Sequence, residues 1–169
     1  MMEAAIGIAV FLEDKTSYDT AMTKFLGRVP AYIYLTSDGS CPKAAPGSGY
    51  TTCSQIESYW QGQNSFPVNG IAQETCRDFV HTGYGISSIS HVAETSRIQG
   101  TDLYTGDTGT RLRYALGFHA QYELGVASRP SWLCPNQGTL KLGLGPSKCQ
   151  SEVLLRMLNS GRLDADGLR

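Results

Sequence analysis

The chain has 169 residues, a formal net charge of −1 and an ordinary hydrophobic content of 41%. That balance lacks the basic excess of a nucleic-acid or membrane-surface binder, so a polyanionic ligand would have to be held by a local cluster. The length fits one domain that buries most of its unfolded surface, and no apolar run reaches the ~20 residues of a membrane span.

The first element covers residues 4–12, within MMEAAIGIAVFLEDK. It has the apolar length of a signal-peptide core. It lacks a basic leader, because Glu3 is the first charge, and a small-residue cleavage site before Glu13, Asp14 and Lys15. It reads as a buried helix, apolar on all sides, which further helices upstream would cover. Without them it would expose an apolar surface and promote self-association.

A second helix follows from Tyr18, Ala21, Met22, Phe25 and Leu26, spaced for one face. Thr16 and Asp19 suggest its capping box, and Gly27 with Pro30 its end. The next stretch, AYIYLTSDG, is ambiguous, since aromatic and β-branched residues favour a strand among helical neighbours.

Residues 38–70 are rich in Gly, Pro and Ser and read as a long functional loop. Cys41 and Cys53 could close it as a disulfide in a secreted protein. Five cysteines leave at least one thiol free if the others pair, and Cys76 reads as a core thiol. Within the loop, Tyr59, Trp60, Gln61 and Gln63 combine aromatic faces with amides. A sugar cleft uses both, although Trp60 fits core packing equally well.

Helical patterns resume over residues 71–81, 86–100 and 107–124. In the first, Glu74, Arg77, Asp78 and His81 share one stripe, with His81 returning to within about 20° of Glu74 and about 10.5 Å from it along the axis. Ile71, Cys76, Phe79 and Val80 would face the core. Arg77 and Asp78 are expected to pair with each other. Gln73, Thr82 and Tyr84 add hydrogen-bonding groups nearby. A solvated ion-pair face accounts for the charges, but less readily for the glutamines, aromatics and glycines around them.

The remaining histidines read as weaker candidates. His91, Glu94 and Arg97 have the spacing of an ion-pair face. His119 lies on an apolar stripe with Leu112, Ala115, Leu116 and Ala120, as a satisfied core histidine does. Glu74, His81 and His91 do not establish a metal site, and no cofactor is expected. After Pro146 the chain reads as a short fraying helix with a polar end. The class is all-α.

Several separated motifs occur in order across roughly residues 3–146 and resemble the alginate-lyase-like polysaccharide lyases. They are E-x-x-R-D-x-x-H-T at Glu74, Arg77, Asp78, His81 and Thr82, and A-E-x-x-x-x-Q-G-x-D-L-Y at Ala93, Glu94, Gln99, Gly100, Asp102, Leu103 and Tyr104. RVPAYIYLTSDG, YWQGQ and PSWLC add to the likeness. It implies an incomplete α/α toroid of antiparallel helical hairpins, with residues 1–146 a C-terminal-half fragment of the domain and 147–169 a divergent tail. It implies a secreted protein that cleaves a uronate polysaccharide of alginate or glucuronan type by β-elimination, or a non-catalytic carbohydrate-binding or structural remnant of one. By resemblance His81 and Glu74 belong to the cleft, with Tyr84 a further catalytic candidate. Gln73, Tyr59, Trp60, Gln61, Gln63 and Arg77 are expected to contact the acidic polysaccharide.

Overall fold

The computed structural model describes residues 2–143, so the fraying helix expected after Pro146 lies outside the described residues. They form five α-helices: α1 (Met2–Phe11), α2 (Lys15–Tyr32), α3 (Cys53–Tyr59), α4 (Phe79–Ile98) and α5 (Asp107–Glu123). A single antiparallel bridge, Ile33 to Ala72, is the β-type pairing found among them. The all-α class is therefore correct.

The four longer helices enclose one core. α1 packs on α2 and α4, and α5 packs on α4 and α2. Ile6, Phe25, Val29, Ile86, Val92, Leu112 and Ala115 meet there, all nearly inaccessible. A second core of Ile56, Trp60, Phe66, Phe79, Phe118, Tyr122 and Leu133 seats the 38–70 segment against α4 and α5.

Several boundaries differ from expectation, each for a local reason. α2 is capped by Asp14, not by Thr16. The Asp14 carboxylate accepts from the Ser17 N–H at 3.0 Å and its hydroxyl at 2.6 Å. α2 also runs through Gly27 and Pro30 to Tyr32. Pro30 falls in its last turn, and Leu26, whose carbonyl loses its partner there, is exposed, so water can serve it. α1 is helical as expected but not buried all round. Ile6 and Ala9 are inside, whereas Ile8, Phe11 and Leu12 are exposed.

The ambiguous AYIYLTSDG resolves into the end of α2, the Ile33 bridge and a short 3-10 turn, Thr36–Asp38. This pairing prevents residues 71–77 from forming the predicted helix. Tyr34 N–H donates to Ile71 O, Gly70 N–H to Tyr34 O and Gln73 N–H to Tyr32 O. Turns then carry the chain to Asp78, where α4 begins.

Two disulfides tie the loops down. Cys41 bonds Cys53 at the start of α3, as expected. Cys76 is not a free core thiol but bonds Cys134, 58 positions away. A further tie was not foreseen. The buried Arg111 guanidinium clamps the Asp38 carboxylate at 2.6 and 2.7 Å, donates to Ile33 O at 2.7 Å and bonds Asp107 at 2.8 Å. Burial opposes ionisation of Asp38. Arg111, the Leu35 N–H and Lys43 outweigh it and hold the carboxyl below its usual range.

Candidate functional site

The Glu74–His81 stripe does not exist as a helix face, because Glu74 and Arg77 lie in turns and only His81 is helical. The charges nevertheless form two close pairs. Arg77 Nη1 lies 3.4 Å from Glu74 Oε2, not paired with Asp78 as expected. Asp78 is the N-cap of α4, and its carboxylate accepts from the His81 N–H at 2.8 Å.

The same carboxylate lies 2.8 and 2.7 Å from His81 Nδ1. A carboxylate there receives the Nδ1 proton, which assigns the tautomer and leaves Nε2 with no partner among the described residues. Burial pushes the Asp78 carboxyl up. The His81 N–H, its imidazole and Arg77 more than reverse this, so the group stays ionised below its ordinary value. The His81 side chain keeps 40% of its surface accessible. The exposed Tyr84 ring stands edge-on to it, 6.1 Å between centroids.

Beside this group sits Tyr32, at the end of α2, which sequence reasoning did not single out. Its hydroxyl lies 3.5 Å from Thr82 O and fills the space at Gly85, where any Cβ would collide with it. Burial, then the charge of Glu74, then Tyr59 raise its pKa well above the ordinary tyrosine value. Glu74, Tyr32 and Tyr59 are therefore electrostatic neighbours. The legible signal was Gly85, a helix-interior glycine that a bulky neighbour requires.

The sequence-predicted binding residues divide into two sets. Tyr59 is half-exposed, its ring 5.6 Å from that of Tyr50 above a shallow polar depression with Ser54, Gln55 and Ser58. Gln61, at φ 57°, donates to Tyr59 O at 3.2 Å. Gln73, Trp60 and Gln63 are buried. Gln73 donates to Tyr59 O at 2.8 Å. Trp60 packs edge-on to Phe66 at 5.4 Å. Gln63 accepts from Cys134 N–H at 2.7 Å and donates to Ser65 O and Trp132 O, which uses both its amide hydrogens. These three side chains hold the wall; they do not line its surface.

The other histidines are accounted for. His119 Nδ1 donates to Ala115 O at 2.7 Å and Nε2 accepts from the Thr75 hydroxyl at 2.8 Å, a satisfied core histidine. Burial lowers its pKa to about 4. Arg97 pairs with Glu94, while His91 leaves that face to pair with Glu3 on α1 at 2.7 Å. Among the described residues no three ligating side chains gather for a metal, and no helix is long and apolar enough to cross a membrane. Comparison with protein families, characterised proteins and solved structures finds no match to this chain.

Proposed function

We propose that this protein is a polysaccharide lyase of the alginate-lyase-like group that cleaves an alginate- or glucuronan-type uronan by β-elimination. The observation that carries this reading is the Asp78–His81 pair, a partly exposed imidazole held in one tautomer within the motif that resembles that group's. In the proposed reaction His81 Nε2 takes the C5 proton. Arg77, about half-exposed and held by Glu74, offsets the uronate carboxylate that makes this proton acidic. The C4–O4 bond then breaks, C4=C5 forms, and the Tyr84 or Tyr32 hydroxyl protonates O4. Antiparallel hairpins of a partial α/α toroid are supported by the packing of α1 on α2 and of α4 on α5. Secretion is supported by the two disulfides. Self-association is supported by exposed Ile8, Phe11 and Leu12.

A second reading, a non-catalytic carbohydrate-binding or structural remnant, is favoured by the burial of Trp60, Gln63 and Gln73. The test is incubation of the purified chain with a panel of uronans, monitoring ultraviolet absorbance of the unsaturated product. The lyase reading expects absorbance to rise with at least one uronan. The remnant reading expects binding without product.

A further inference from the structure

A second groove, of about 540 Å³, lies between α5 and residues 67–69, away from His81. Two packing features keep it open. Gly70, at φ +93°, brings its backbone against Tyr114 O, so any Cβ would collide there and the 67–69 wall stays seated on α5. Gly117, within α5, also lines the groove and adds no side chain to it. A helix-interior glycine costs about 1 kcal/mol relative to alanine.

The lining carries a particular chemistry. Tyr114 and Trp132 supply aromatic surface. Asn69 Oδ1 accepts from both the Thr36 N–H at 2.7 Å and its hydroxyl at 2.9 Å, which fixes the amide and leaves its NH₂ without a partner among the described residues. Gln121 is held the opposite way. Its Nε2 donates to Phe118 O at 3.1 Å, and its Oε1 has no partner among the described residues. The groove therefore presents a donor and an acceptor beside aromatic rings. No charged side chain lines it among the described residues.

We infer that this groove is a binding site for a neutral sugar ring. A pyranose offers apolar C–H faces to Tyr114 and Trp132, and its hydroxyls both donate and accept, matching Gln121 Oε1 and the Asn69 NH₂. The volume falls within the range of small-ligand sites. A uronate or phosphate would find no cation here, so the selectivity runs opposite to that proposed around His81 and does not depend on it.

The test is calorimetric titration of the chain with neutral gluco-, manno- and galacto-oligosaccharides and with a uronate oligosaccharide, following the Trp132 indole resonance by NMR in parallel. At least one neutral oligosaccharide is expected to bind and shift that resonance, and the uronate is expected to leave it unmoved. Gly117→Leu, which fills the groove, and Gln121→Ala, a milder change on a partly exposed residue, should each weaken binding about tenfold or more, with unchanged melting in at least the second. The inference is overturned if no neutral sugar shifts the Trp132 resonance. It is equally overturned if a folded Gln121→Ala chain binds as tightly as the parent, or if the uronate takes the groove in preference.

Discussion

Asp78 holds His81 twice: its carboxylate accepts the His81 backbone N–H at 2.8 Å and flanks the imidazole Nδ1 at 2.8 and 2.7 Å. One side chain thereby starts α4 and aims the histidine of the E-x-x-R-D-x-x-H-T stretch. The two duties separate by substitution. Asp78→Asn keeps an oxygen for the cap and should change stability by only a few tenths of a kcal/mol, whereas Asp78→Ala should cost about 1 kcal/mol. Both should lower turnover, because neither leaves a carboxylate to receive the Nδ1 proton. Denaturant unfolding and uronan cleavage measured side by side check this. The folded pKa of Asp78 lies below the ordinary aspartate value of 3.8. Its contribution to stability is therefore present above that pH and is lost as pH falls through the folded value.

His119 sets a different pH window. Its pKa falls from 6.5 to about 4 because burial disfavours the imidazolium. The unfolded chain binds this proton first as pH drops. Stability is thus fully present above 6.5 and is lost progressively between 6.5 and about 4, by on the order of 3 kcal/mol in full. Unfolding free energy measured across that range should slope downward toward acid. In His119→Gln, which does not titrate, the slope should largely vanish whatever the absolute stability.

The Cys76–Cys134 bond closes a loop of 58 positions, for which chain entropy gives a stabilisation of about 4 kcal/mol. The double change Cys76→Ala and Cys134→Ala should lower unfolding free energy by roughly that amount. Reductant should then destabilise the double variant less than the parent, through Cys41–Cys53 alone.

Arg111 and Asp38 have side chains 2% and 1% accessible. Arg111→Leu would leave the Asp38 charge buried with only Lys43, 3.2 Å away, to offset it. Losing one partner of such a pair costs about 3–5 kcal/mol. The double change Arg111→Leu with Asp38→Leu should recover part of the loss, and a double-mutant cycle on thermal unfolding checks this.

The helices were legible where apolar spacing was regular. Residues 107–124 carry Leu112, Ala115 and Leu116 inward, and α5 forms within one residue of the expected bounds. Ile86, Ile89 and Val92 likewise marked α4. Periodicity misled over residues 71–77, because the competing partner, the backbone of residues 32–34, is remote in sequence. The amides of Gln63 and Gln73 resembled ligand groups because composition does not show whether a polar side chain is already satisfied inside. Arg111–Asp38 and Cys76–Cys134 span 73 and 58 positions, and nothing local announces either. The Asp78–His81 pair was not legible, because the shared stripe pairs Asp78 with Arg77; it needs no helix face, since three residues suffice for an N-cap and its bonded imidazole.

The most direct measurement is the cleavage rate of the uronan that best yields unsaturated product, compared between the parent chain and His81→Ala at equal folded fraction. His81 is 40% accessible and its ring bonds only Asp78 among the described residues, so folding should be little changed. The account predicts a rate lower by on the order of 10²-fold or more with a nearly unchanged melting temperature. An unaltered rate in His81→Ala would contradict it, as would a parent chain that releases no unsaturated product from any uronan.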